Sequence, residues 1–234
     1  MKTMHGYRHD FTEAELAVCT AFADRRAQRD RKHYEQRNSK GSKIRVDMIN
    51  GGLGEIAAHC AMLRAFGEVA DIPPPDFALH TVQQKSWDPD LYATFHGCAE
   101  PVRAQVKMHV CHRYNNTVPK SFMFQRAGGG RHEDKHLRTL RPGGDSQDWL
   151  VGVLGYVTDP AKLTANGSVR SDAVADFAVV CGPYPLQSVV DQNLWRPPSH
   201  RRLREARSKK RCLWLSDLEA KVPRITGVLQ DDHQ

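Results

Sequence analysis

Glu55, Asp90, Gln105 and Lys107 are the residues whose types and spacing could do chemistry together. Gln105 and Lys107 stand two apart in VRAQVKMHVC, an alternating stretch that predicts a β-strand, so their side chains share one face. Asp90 opens LYATFHG, which predicts the preceding strand, and a meander of the two brings the start of one near the far end of the other. Such a set suits hydrolysis of a phosphodiester. A hard divalent ion takes oxygen ligands. It polarises the phosphate and lowers the pKa of a bound water, while a nearby lysine stabilises the developing negative charge or helps to position and deprotonate the water. Asp90, the side chain of Gln105 and the backbone carbonyl of Val106 can converge on one ion, with Lys107 beside it. Glu55 can reach the ion directly or through water. Asp88 and Asp76 compete with Asp90 for the aspartate position, Asp76 by standing in a literal Pro-Asp pair.

The elements that must position these groups can be read in outline. FTEAELAVCTAFADRRAQRDRKHYEQ predicts a helix with Thr12 and Glu15 as its capping pair and a short apolar face of Leu16, Cys19, Phe22 and Ala23. SKGSK predicts a loop, and the glycines at 51, 52 and 54 predict a tight turn. A helix follows from about Leu53 to Phe66, with Gly67 placed to end it and Glu55 in its first turn. An acid there also has a plain role, stabilisation of the helix end. PPPD breaks any helix, FALHTV predicts a short strand, and QQKSWDP turns the chain. SFMFQ, DWLVGVLGYVTD, ADFAVVCG and CLWLS predict further strands, and residues 126–147 a long glycine-rich loop. The expectation is one α/β (α+β) domain over 1–234, with a mixed central β-sheet flanked by helices. It divides into a basic N-terminal helical segment 12–43, a core 44–195 and a basic C-terminal segment 196–234.

GGLGE, DPDL, QVK and SFMFQ, in that order, resemble the restriction-endonuclease-like nuclease superfamily, the PD-(D/E)xK group. The resemblance covers about residues 47–125, with weaker continuation into DWLVGV and DFAVVC. It implies a mixed sheet flanked by helices, and Mg²⁺-dependent cleavage (Mn²⁺ as substitute) of nucleic acid, most often DNA. It assigns Glu55 as the helix acid, Asp90 as the metal-binding aspartate, and Gln105 and Lys107 as the acid-x-lysine pair. Gln105 departs from the pattern: an amide oxygen can ligate a metal but brings no charge.

Composition bounds the alternatives. The chain has 234 residues and a formal charge of +7, from 34 Lys and Arg against 27 Asp and Glu, a balance that favours a polyanionic partner. The positive charge concentrates at 24–43 and 200–211. Arg25, Arg26, Arg29, Arg31, Arg201, Arg202, Arg204, Lys209 and Lys210 are candidates for phosphate contact, which gives affinity without base choice. Arg126, Arg131 and Lys135 in the long loop, with His109 and Gln125 at the sheet, complete the nucleic-acid candidates; His109 also reads as an ordinary half-buried histidine and Gln125 as a polar strand end. Phe122 and Phe124 predict a sheet face, Trp149 and Leu150 strand core. Six cysteines without a CxxC pair, no secretory leader and no run of about 20 apolar residues point to a reduced, intracellular, cytoplasmic protein (nuclear in a eukaryote) with no membrane partner. No phosphate-loop motif, HExxH or nucleotide-binding GxGxxG is present. Cys98, His109, Cys111 and His112 lack the paired spacing of a structural zinc site.

The reading is a Mg²⁺-dependent deoxyribonuclease, an endonuclease acting on double-stranded DNA, as a homodimer where both strands are cut. A ribonuclease using the same site, and a nucleic-acid-binding protein that has lost catalysis, are the alternatives, the latter favoured by Gln105.

Overall fold

The computed structural model describes residues 3–29, 41–79, 90–112, 120–125, 140, 142–165, 168–196 and 210–225. The elements in chain order are β1 (Arg8–Asp10), α1 (Glu13–Arg29), α2 (Gly41–Phe66), β2 (Ala70–Asp71), β3 (Leu91–Phe95), β4 (Val102–His112), β5 (Ser121–Gln125), β6 (Trp149–Val157), a 3-10 turn (Pro160–Lys162), β7 (Phe177–Pro185), α3 (Leu186–Asp191), β8 (Lys210–Trp214) and α4 (Leu215–Lys221). Six strands form one mixed sheet in the order β1-β7-β6-β4-β3-β2. Only β4 and β6 run parallel in it; the other neighbours are antiparallel. The expected α/β (α+β) class, with a mixed central sheet flanked by helices, is what the chain adopts.

The alternation of β4 sorts the two faces. Val102, Ala104 and Val106 join Trp149, Val151 and Val153 of β6 in a core that α2 covers with Ala57, Ala58, Ala61, Met62 and Phe66. Phe66, Phe95 and Trp149 meet there ring to ring. On the other face, Leu150, Leu154, Cys181 and Tyr184 pack with Phe122 of β5 and with Leu213, Leu215 and Leu218. Gln105, Lys107, His109 and Cys111 are aligned with Leu150, Gly152, Leu154 and Tyr156, so they belong to this second face. The expected core residues Trp149 and Leu150 are buried, and so is Phe122 of β5.

Helix α1 opens as its sequence requires. The Glu15 N–H donates to Thr12 Oγ1 at 3.2 Å, and Glu15 Oε2 accepts the Thr12 N–H at 2.8 Å, which is the reciprocal capping box. Arg45 of α2 and Asp24 of α1 pair across the two helices.

Several expectations need correction. The glycines at 51, 52 and 54 make no turn: α2 is one helix of 26 residues that begins at Gly41, so SKGSK is not wholly a loop. At Gly52 and Gly54 glycine allows close approach. A Cβ on Gly52 would stand 2.9 Å from Cys19 Sγ, and one on Gly54 would stand 3.0 Å from Met108 Cβ. Glu55 therefore lies in the middle of α2, and helix-end stabilisation does not explain it. FALHTV forms no strand over its described part, 77–79. SFMFQ does not join the main sheet; it pairs with β8 in a separate two-stranded ribbon, Gln125 opposite Lys210. Residues 210 and 211 of the basic segment 200–211 are strand, while 200–209 lie outside the described residues. Two short strands, β1 and β2, were not expected. Among the described residues no helix is long and apolar enough to cross a membrane.

Candidate active site

The site begins with a difference in strand length. β4 has eleven residues and β3 has five. Their antiparallel register sets Leu91 against Ala104, and β3 goes no further. From Gln105 onward the β3 side of β4 is open to other partners. Asp90, one residue before β3, takes that position. Its Oδ2 accepts the Val106 backbone N–H at 2.7 Å and also accepts a hydrogen bond from Gln105 Nε2. A backbone donor at a strand edge is thereby satisfied by a charged side chain. In an extended strand the N–H and carbonyl of one residue point to the same neighbour, so the Val106 carbonyl also faces the Asp90 side.

Gln105 is buried, with 8% of its surface exposed. Burial of a primary amide requires partners, and the Asp90 carboxylate is one. The face that Gln105 presents to Asp90 is its donor, Nε2. A metal would need Oε1, and exchanging the two takes a half-turn of the terminal amide. Lys107 stands one strand-repeat further along the same face, half-buried.

Glu55 enters from the helical layer. Its backbone is fixed mid-helix beside Gly54, which packs on Met108 of β4, so the close helix–strand contact holds the carboxyl near that strand. Burial drives the Glu55 carboxyl well above the usual glutamate range, and the negative charge of Asp90 drives it further; Lys107 and Arg26 pull it back down. α1, α2, β4 and the residue that precedes β3 thus bring two carboxylates and two cations within electrostatic reach of Glu55's position. α2 covers the Val106 face and Lys107 belongs to the opposite face, so the open edge of β4 is where both can be met.

Arg26 was expected only as one phosphate contact in a basic run. It instead lines a cleft of about 370 Å³ with Phe22, Asp47, Met48, Gly51, Gly52 and Glu55. The cleft is the groove between α1 and α2, and Glu55 forms part of its wall. The signal for this was local: Phe22 and Arg26 stand four apart on one helix, and the Arg26 guanidinium lies over the Phe22 ring, 5.9 Å from its centroid. A second group passed over in the sequence is the ion pair of Arg103 with the buried Asp148, two hydrogen bonds of 2.8 Å. Arg103 shares the face of Gln105, and the pair ties β4 to the start of β6.

The remaining expected residues scatter. His109 is half-buried and hydrogen-bonded to the backbone of Ser121; burial and Lys120 hold its ring below the ordinary histidine range, despite that bond. This is a packed histidine and not a surface cation. Arg25 reaches the Phe77 carbonyl at 3.4 Å. Arg29 ends α1. Asp76 accepts the Ala78 N–H at 2.7 Å in a local turn. Arg31, Asp88, Arg126, Arg131, Lys135, Arg201, Arg202, Arg204 and Lys209 lie outside the described residues. Gln125 and Lys210 are placed by their backbones in the β5–β8 ribbon, away from β4's open edge in pairing. Comparison with family models, with curated proteins and with solved structures finds no match for this chain.

Proposed function

We propose that the chain is a divalent-metal-dependent endonuclease of the restriction-endonuclease-like, PD-(D/E)xK kind, hydrolysing phosphodiester bonds of double-stranded DNA. The observation that carries the reading is the electrostatic meeting of Glu55 with Asp90 and Lys107. Two carboxylates held together in a partly desolvated place repel each other, and the arrangement costs stability unless a cation answers it. The donor set fits a hard ion. Asp90 and Glu55 offer carboxylate oxygens, Gln105 an amide oxygen after its half-turn, and Val106 a carbonyl. Mg²⁺, with Mn²⁺ as substitute, is the matching class, and when bound it supplies polarisation of the phosphate and acidification of a water.

The protein's own groups have distinct tasks in this reading. Asp90 is held in place by Val106 and Gln105, so its carboxylate is oriented before any ligand arrives. Lys107 places positive charge where the phosphate gains negative charge. Glu55, ionised when the cation is bound, would hold it directly or through a water. Arg26 at the cleft supports Glu55 in its ionised form. The net charge of +7 holds the polyanion. The protein acts inside the cell, with no membrane partner, and as a homodimer where both strands are cut.

A second reading, nucleic-acid binding without cleavage, rests on one observation: Gln105 gives Asp90 a donor where a metal site would have a second acid. The test incubates purified protein with supercoiled, linear and single-stranded DNA, and with RNA, in Mg²⁺, Mn²⁺ or EDTA, beside Asp90→Ala. Expected is cleavage of duplex DNA that EDTA and Asp90→Ala both abolish. Cleavage that survives either treatment sinks the metal assignment. Salt-sensitive DNA binding with no cleavage in any metal selects the second reading, and preferential RNA cleavage makes the enzyme a ribonuclease.

A further inference from the structure

We propose that His9 of β1, Glu15 of α1 and Cys60 of α2 form a binding site for zinc(II) or a like transition-metal ion, distinct from the oxygen site above. Their donor atoms, a ring nitrogen, a carboxylate oxygen and a thiol sulfur, all lie within 4.8 Å of one another. His9 Nε2 and Glu15 Oε1 are 2.9 Å apart. Zinc binds nitrogen and oxygen at about 2.0–2.2 Å and sulfur at about 2.3 Å, so two ligands of one tetrahedral ion are about 3.3–3.6 Å apart. Small side-chain rotations close the difference. The side chains of His9 and Glu15 are 13% and 22% exposed, so an ion can reach them while most of the surroundings are protein.

The groups behind the ligands fit the same purpose. Glu15 Oε2 is engaged by the Thr12 N–H at 2.8 Å and by the Thr12 hydroxyl at 3.0 Å, and Oε1 is turned toward His9. The capping box alone requires only the first of these oxygens. Tyr7 Oη stands 3.5 Å from His9 Nδ1, where a ring bound through Nε2 would place its N–H. Outer partners of this kind fix the tautomer and orientation of a ligating histidine. Burial and the charge of Glu15 keep the Cys60 thiol protonated at neutral pH. Binding therefore releases its proton to solvent, as thiolate ligation of zinc requires. The mixed sulfur, nitrogen and oxygen set selects zinc over magnesium. Three protein ligands leave a fourth position for water. The ion would join β1 and α1, neighbours in sequence, to α2 at Cys60, and α2 is the helix that carries Glu55.

The test uses the full chain. Protein purified without chelator is dialysed against metal-free buffer, loaded with zinc, and its metal content measured; a second sample takes cobalt(II) and is followed by absorption. Expected are one equivalent of zinc per chain and a near-ultraviolet thiolate-to-cobalt charge-transfer band, both lost in Cys60→Ala and in His9→Ala with the far-ultraviolet circular dichroism retained. Wild-type protein that keeps no zinc and gives no band overturns the proposal. So does stoichiometric zinc in either folded variant. Two variants guard against one failing to fold. Neither readout involves DNA or Mg²⁺, so the result stands apart from the nuclease test.

Discussion

Asp90 and Val106 are joined by a 2.7 Å hydrogen bond from a backbone N–H to a carboxylate, at the point where β4 outruns its partner strand. The same carboxylate oxygen takes the amide of Gln105. The aspartate is therefore both the end of a β-ladder and the hub of the proposed site, and Gln105 completes it as a neutral donor.

Replacing Gln105 with glutamate separates these two roles. A carboxylate cannot donate to Asp90, and two like charges would then crowd one buried edge. In EDTA, Gln105→Glu is expected to lower the midpoint of thermal unfolding, by the loss of a charge-assisted hydrogen bond worth about 1.5–3 kcal/mol. In Mg²⁺ the added charge should lower the metal concentration for half-maximal cleavage and restore the lost stability. Calorimetry with and without metal, beside a metal titration of cleavage, checks both signs. An unchanged titration would mean that side chain 105 never faces the ion.

Glu55 makes the metal-free protein sensitive to pH in a direction unusual for a carboxylate. Its folded proton affinity is raised, by burial first and by Asp90 second. The folded state then holds a proton that the unfolded state has released. The stability this contributes is fully present below the ordinary glutamate pKa and is lost as pH rises from there through the raised folded value. In EDTA, wild-type stability should decline over that window, and Glu55→Gln should flatten the decline while abolishing cleavage. Because a bound cation favours the ionised form, Mg²⁺ binding should release a proton and tighten with rising pH. A wild-type melting profile in EDTA that parallels Glu55→Gln across the whole range would refute this account.

The glycines of α2 give a test of packing with opposite signs at adjacent positions. A Cβ on Gly51 meets nothing within 4 Å, while one on Gly52 meets Cys19 Sγ at 2.9 Å and Phe77 Cε1 at 3.1 Å. Gly51→Ala should stabilise by about 0.5–1 kcal/mol, because alanine is the better helix former. Gly52→Ala should destabilise by about 1–3 kcal/mol through overpacking against α1. Combining it with Cys19→Ala should recover most of the loss. Chemical denaturation of the three variants decides, and destabilisation by Gly51→Ala would restore the turn that the sequence suggests.

These glycines also mark the limit of what the chain announces about itself. Thr12 with Glu15, the β3–β4 pair and the alternation of QVK are local patterns, and the structure follows them because short-range hydrogen bonding and side-chain alternation decide them. The order of a helix acid, an aspartate and QVK likewise foreshadows the gathering of Glu55, Asp90 and Lys107. Glycine in a row looks like a turn until Cys19 and Met108, far away in sequence, supply the reason for a bare backbone. β5 could not be placed because its partner, β8, begins 85 residues after β5 ends, if measured from Gln125 to Lys210. His9 and Cys60 are brought together only by the pairing of β1 with β7 and the packing of α1 on α2, and no spacing between them in sequence announces it.

Arg26 allows the last test to tell one arginine from its neighbours. Arg25, Arg26 and Arg29 lie within one basic segment, yet only Arg26 lines the cleft beside Glu55 and favours its ionised form. Removing a cation from beside an acid raises the acid's proton affinity. Arg26→Ala should therefore move the rise of cleavage with pH to higher pH, as well as weakening DNA binding. Arg25→Ala and Arg29→Ala should weaken binding, reduce its salt dependence by roughly one counterion each, and leave the pH profile where it is. Single-turnover cleavage at saturating DNA, measured across pH for the three variants, makes the comparison independent of affinity. If Arg26→Ala shifts binding alone, the guanidinium is a phosphate contact like the others and its nearness to Glu55 has no catalytic consequence.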